Sequence, residues 1–194
     1  MTKDLITVLG LTVLLVGTMN VLAIVFDVDG RTLAAISLSI FLLIIVFLYR
    51  RSRRSAPEVP SACHIAAAIA LMVGAGALIG GVGHSVAVVS LALKEPEYGP
   101  LQMLRLTTGA ILVFAGGITL AMYPGIRAGR RGAVGVGAAT GLLFWLHLLF
   151  VRPLPGTGGT VPPMLGLWSI YLLSLGAAAA WLVMGRSEKG EVAR

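Results

Sequence analysis

The sequence predicts an all-α integral membrane protein, a helical bundle of six transmembrane helices forming one domain over residues 1–194. Three observations support this fold class. First, 57% of the 194 residues are hydrophobic and only 12% are charged, with a mean hydropathy of +0.95, outside the range of soluble globular domains. Second, residues 63–93 carry no formal charge, and this run exceeds the about 20 residues that a membrane span needs. Third, arginine clusters lie beside the apolar runs.

Each predicted span is an apolar run that ends at charged or helix-breaking residues. The first run is longer than the about 7–15 apolar residues of a signal peptide, and no small-x-small cleavage pattern precedes Asp27. We therefore count it as a span, and we expect Pro124 and Gly125 to end the fourth one. The third span is expected at the centre of the bundle. The predicted spans are residues 5–26, 33–49, 63–93, 101–123, 133–151 and 164–184.

The distribution of charge predicts the orientation of the chain. If both termini are cytoplasmic, eleven of the fifteen basic residues lie on the inner side, the acidic residues divide evenly, and the whole net charge of +7 is internal. This agrees with the positive-inside rule for a plasma membrane protein. Because topology explains the basic clusters, the lipid bilayer is the expected partner and nucleic acid is not. The internal residues are Lys3, Arg50, Arg51, Arg53, Arg54, Arg127, Arg130, Arg131, Arg186, Lys189 and Arg194.

Several kinds of chemistry have no residues to support them. The single cysteine, Cys63, excludes an intramolecular disulfide and a cysteine-based metal site. The chain has no nucleophile elbow, no H-E-x-x-H motif and no P-loop, so catalysis by the isolated chain is not expected. No Asp, Glu or Lys lies inside a predicted span, which argues against a pump that binds its coupling ion on a buried carboxylate.

Two histidines are the candidate cofactor ligands. His84 and His147 fall in the outer halves of the third and fifth spans. Two facing imidazoles are what a b-type haem requires, and the neighbouring glycines would let the macrocycle approach the backbone. In the alternatives, each histidine makes a hydrogen bond across the bundle, or the two line a pathway for a solute or metal. His64 is expected at the cytoplasmic interface, about 30 Å from His84 along the same helix.

Small residues predict where helices pack or where a pathway runs. Gly76 and Gly80 in the third span, and Gly137 and Gly141 in the fifth, form small-x3-small patterns that permit close helix packing. Arg105 lies about one turn inside the outer end of the fourth span. Its side chain is expected to reach the interface, or to contact an anion at a gate.

Two functions fit these features. In the first, the chain is a membrane subunit of a larger complex, such as a respiratory or electron-transfer complex, and it holds at most a haem b. The lack of buried acids and of sizeable loops favours this reading. In the second, the chain is a self-contained oligomeric channel or transporter for a small neutral solute, whose glycine-rich third span lines the path. A three-plus-three inverted repeat would favour the second function.

Overall fold

The computed structural model describes residues 30–94, 100–151 and 161–191, together with positions 6, 7, 10 and 14. Within these ranges the chain forms five long helices and no strand. The first predicted span, residues 5–26, otherwise lies outside the described residues. The helices are α1 (Gly30–Ser55), α2 (Ser61–Lys94), α3 (Pro100–Arg127), α4 (Arg131–Val151) and α5 (Val161–Glu191).

Four of these helices are long and apolar enough to cross a membrane. They are α2 to α5, with candidate spans at Ser61–Ser90, Leu106–Arg127, Arg131–Phe150 and Met164–Met184. The all-helical fold predicted from the sequence is therefore confirmed, and four helices of the described residues are candidates to span a membrane. The helix over the second predicted span, α1, is not among the four.

The helix of the fourth predicted span does not end at Pro124 and Gly125, where the sequence predicts its end. α3 continues through Pro124 and ends at Arg127, although a proline inside a helix removes one hydrogen bond and crowds the carbonyl four residues earlier. The helix is closed instead at Gly129, whose φ of 66° is a left-handed conformation that glycine adopts without strain. The amide of Arg130 donates to the carbonyl of Gly125 at 2.8 Å, which completes the C-terminal cap.

Helices α2 to α5 form a ring in which each helix packs on two others. α2 packs on α3, α3 on α4, α4 on α5, and α5 back on α2, while α1 packs on α2 outside this ring. The most apolar stretch of the candidate span in α2 is 67% buried, against 39% for α3, 28% for α4 and 22% for α5. This burial agrees with the expected central position of the third predicted span. α4 packs between α3 and α5 and also contributes to the core.

Helices α2 and α3 approach each other through four glycines, here called the glycine seam: Gly74 and Gly81 on α2, and Gly109 and Gly116 on α3. A Cβ atom added at Gly116 would lie 2.8 Å from the Gly74 carbonyl oxygen, and one added at Gly81 would lie 2.9 Å from the Gly109 oxygen. The two helices are therefore antiparallel and in backbone contact. The seven-residue spacing within each helix keeps both glycines on one stripe, as in left-handed helix pairs.

Candidate functional site

The two candidate haem ligands lie beside neighbouring positions of α3. His147 Nε2 on α4 is 3.2 Å from the Thr108 hydroxyl. The ring of His84 on α2 is close to Gly109, since a Cβ atom at that glycine would be 3.2 Å from His84 Cδ2. Both histidines therefore lie near the same level of α3. His84 is exposed, whereas His147 is partly buried.

This geometry bears on the role of His147. Its Nε2 atom, the nitrogen next to Thr108, is engaged in a hydrogen bond between two helices. For His147, this contact corresponds to the alternative in which each histidine makes a hydrogen bond across the bundle. Haem ligation by His84 and His147 stays a prediction.

Aromatic rings fill the core next to His147. Its imidazole lies 6.1 Å from the ring of Phe144, which lies 4.7 Å from Trp168, and Trp168 meets Tyr171 edge to face at 5.6 Å. Phe144, Trp168 and Tyr171 are all buried. Such tilted and edge-to-face contacts are the preferred geometries of aromatic pairs. The rings close the space between α4 and α5 with apolar surface.

Two buried hydroxyl groups lie at the Tyr171 end of this aromatic cluster. Thr119 on α3 and Tyr171 on α5 are fully buried, and neither hydroxyl has a hydrogen-bond partner within the described part of the chain. The two hydroxyl groups are neighbours, but their geometry falls short of a hydrogen bond. An unsatisfied hydroxyl inside a bundle costs free energy, so these two are the polar groups of the core that a ligand or water would satisfy.

Glycines of α4 make room for Tyr171. A Cβ atom at Gly137 would lie 2.8 Å from the tyrosine hydroxyl oxygen, and one at Gly141 would lie 3.1 Å from its Cε1 atom. The predicted small-x3-small pattern thus lies against a tyrosine side chain of α5. The ring can approach α4 only because both positions lack a side chain.

Gly76 and Gly80, which the sequence predicts as a packing pattern in the third span, are not part of the glycine seam. A Cβ atom at Gly76 would have no atom within 4 Å, and one at Gly80 would only reach Leu112 at 3.8 Å. Gly76 lines an apolar cavity of about 210 Å³ that also contacts Phe41 and Trp168. The pattern therefore does not form the contact between α2 and α3. Arg105 belongs to α3, and its side chain lies outside the described part.

The most completely bonded polar group lies at the opposite end of α2. His64 is fully buried; its Nδ1 atom is 2.8 Å from the hydroxyl of Ser52, and its Nε2 atom is 2.9 Å from the carbonyl oxygen of Ala56. Because a carbonyl only accepts, Nε2 carries a proton and donates. In the neutral ring Nδ1 then accepts from Ser52. His64 thereby joins the end of α1, the connection and the start of α2.

We expected His64 at the interface, and its burial was missed because no pattern in α2 indicates the partner. The residue that could have indicated this burial is Ser52, which lies twelve residues before His64 on the other side of a short proline-containing connection. Two helices joined by so short a connection pack side by side. Residues at equal distances from the turn can then meet.

Two arginines tie other helix ends to the same region. Arg127, the last residue of α3, donates a hydrogen bond to the Ser55 hydroxyl, and Arg131, the first residue of α4, donates one to the Leu182 carbonyl of α5. The C-terminal end of α1, the connection between α3 and α4, and α5 near Leu182 are therefore neighbours. The arginine clusters of residues 50–54 and 127–131 lie at one end of the bundle.

The described residues contain no group of three or more His, Cys, Asp or Glu side chains that could hold a metal ion. Comparison of the chain with protein families, with curated proteins and with solved structures finds no match.

Proposed function

We propose that this chain is a membrane subunit that acts by packing against other transmembrane chains in a larger complex. The observation that carries the proposal is the filled axis of the bundle. Buried apolar side chains from all four helices of the ring meet there, and the aromatic cluster closes the space beside His147. A polar solute needs hydrogen-bonding groups or water along its path, and such groups are sparse in this core.

The described connections support the same proposal. On the side of the arginine clusters, the segments between helices are only residues 56–60 and 128–130. Both are held by backbone hydrogen bonds, such as Val59 N to Ala56 O and Gly129 N to Ile126 O. These described segments are too short to form a domain, which supports a function carried by the surfaces of the helices.

The proposal includes six spans, both termini in the cytoplasm and a location in the plasma membrane. It is supported by the shared position of the two arginine clusters at one end of the bundle. Cysteine labelling tests it, since native Cys63 is fully buried and provides a low background. In intact cells we expect a membrane-impermeant reagent to label Thr157→Cys and to spare the matched variant Ala128→Cys until lysis. The reverse pattern would refute the orientation.

The subunit role is tested by cross-linking within the membrane. Leu43 on α1 and Leu143 on α4 are equally exposed, at 69%, and they form a matched pair for a photo-reactive amino acid. Because α1 lies outside the ring and packs mainly on α2 among the described helices, we expect position 43 to give a discrete product with a second, different chain. We expect position 143 to give lipid adducts. Products containing only this chain at both positions would contradict the subunit role.

The channel or transporter for a small neutral solute is the second candidate. One observation favours it, namely the unsatisfied hydroxyls of Thr119 and Tyr171 in the core. Purification in mild detergent, with a particle mass and a visible spectrum, separates the two functions. A colourless homo-oligomer supports the channel, and material bound to other chains supports the subunit. A haem absorbance band that is lost in His147→Ala would assign the cofactor and electron transfer to that complex.

A further inference from the structure

An apolar groove runs between α4 and α5 on the outside of the bundle. It has a volume of about 290 Å³. Within the described part of the chain, a Cβ atom at Gly135 or at Gly176 would meet no atom within 4 Å, so both glycines face open space there. The groove is therefore open because these two positions lack side chains that would fill it. Its lining includes Gly135 and Ala138 from α4, and Leu175, Gly176, Ala179 and Leu182 from α5.

The length of the groove matches one leaflet of a bilayer. Its lining extends on α5 from Leu172 to Val183, which is about 16 Å at the rise of an α-helix. Half of the hydrocarbon core of a bilayer is about 15 Å. The groove begins at the end of the bundle where the arginine clusters lie, so it spans the leaflet on that side.

A cation stands at the mouth of the groove. Arg131 lines it, is exposed, and donates one hydrogen bond to the Leu182 carbonyl. A guanidinium group has five N–H donors, which leaves donors for an anion next to that carbonyl. Its planar fork suits phosphate oxygens. An apolar recess one leaflet long beneath an arginine is complementary to a lipid that has an acyl chain and an anionic headgroup.

We propose that the groove between α4 and α5 binds an anionic phospholipid of the cytoplasmic leaflet, with an acyl chain between Gly135 and Gly176 and the phosphate on Arg131. The leaflet follows from the orientation proposed above. The site itself does not depend on whether the chain is a complex subunit or a channel.

Native mass spectrometry of the purified full chain tests the site with phosphatidylglycerol and phosphatidylcholine of the same acyl chains. We expect one tightly held phosphatidylglycerol per chain, with an affinity about fivefold above that for phosphatidylcholine, the factor expected for one arginine near an anionic headgroup. Arg131→Gln should abolish this preference. Because phosphatidylcholine also carries a phosphate but has no net charge, equal retention of both lipids by the unaltered chain would overturn the proposed selectivity for an anionic phospholipid.

The acyl-chain contact is tested separately by filling the groove. Gly135→Leu and Gly176→Leu should both remove the tightly held lipid. Gly117→Leu is the control, because Gly117 on α3 also faces open space but does not line the groove. Circular dichroism and elution volume establish that each variant is folded. Retention of the lipid by either folded groove variant at the level of the control would refute the site.

Discussion

A methyl group added at Gly116 should separate α2 from α3. The Cβ atom would lie 2.7 Å from the Leu78 amide nitrogen and 2.8 Å from the Gly74 carbonyl oxygen. Both are backbone atoms, so no rotamer change can relieve the contact. Ordinary contacts of a Cβ atom begin at 3.4 Å, and the helices must therefore move apart by about 0.7 Å, the difference between 3.4 and 2.7 Å.

A gap of that size has a calculable cost. Separation by about 0.5–1 Å loses a quarter to a half of the dispersion attraction between facing atoms, and overpacking of a well-packed core costs about 1–3 kcal/mol. Replacing glycine by alanine also favours the helix by about 1 kcal/mol. The neighbouring variant Gly117→Ala gains the same helix propensity and meets no atom within 4 Å. The difference between the two variants therefore isolates the packing cost.

We expect Gly116→Ala to be about 1–3 kcal/mol less stable than Gly117→Ala. Unfolding in mixed micelles with increasing denaturing detergent, followed by circular dichroism, measures both free energies of unfolding. Equal stability of the two variants, or a more stable Gly116→Ala, would show that α2 and α3 do not meet through the glycine seam.

Three further predictions concern polar groups. His64→Ala should lower the free energy of unfolding by about 2–5 kcal/mol, because it leaves the Ala56 carbonyl unsatisfied and opens a cavity; faster protease cleavage between α1 and α2 measures the same loss. A double-mutant cycle of Thr108→Val and His147→Phe should give a coupling free energy of about 0.6 kcal/mol, typical of hydrogen bonds within membranes, and a coupling of zero would refute the bond. Tyr171→Phe should leave stability unchanged or raise it by up to about 1 kcal/mol, since the lost hydroxyl has no partner, and a clear loss in thermal unfolding would reveal a bound ligand or water.

The helices were predictable from the sequence because hydropathy and length act locally. The apolar runs of the third to sixth predicted spans correspond to α2, α3, α4 and α5, and the boundaries differ by at most seven residues. The largest differences lie where charged residues continue a helix beyond the hydrocarbon, as at the ends of α1 and α5. Arginine is a good helix former, so a cluster that ends a span need not end the helix.

The contacts between helices were harder to predict, because several glycine stripes compete on α2. The small-x3-small pattern of Gly76 and Gly80 was the prominent one, yet the contact with α3 uses Gly74 and Gly81. The seven-residue spacing was present in the sequence, and the same spacing recurs at Gly109 and Gly116. Matching the two spacings would have identified the pair, whereas one helix taken alone cannot distinguish its stripes.

The candidate polar sites show the same limit. From their positions along the helices, the sequence predicts that His84 and His147 lie in the same half of the bundle. In the structure, both histidines lie close to neighbouring residues of α3. Depth gives no rotation about the helix axis, so the hydrogen bond between Thr108 and His147 was not predictable. The pairing of His64 with Ser52 required the geometry of the connection between two helices, which hydropathy does not contain.

The bundle fixes its helices by different means at the end and in the middle. At the end with the arginine clusters, side chains such as His64, Arg127 and Arg131 bond one element to another. In the middle, the glycine seam and the aromatic rings meet by shape, and the hydroxyls of Thr119 and Tyr171 have no hydrogen-bond partner among the described residues. Hydrogen bonds fix the register of helices along their axes, whereas glycine contacts fix their separation. Substitutions at the end should therefore shift helices lengthwise, and substitutions in the seam should move them apart, which distance measurements between spin labels on α2 and α3 can distinguish.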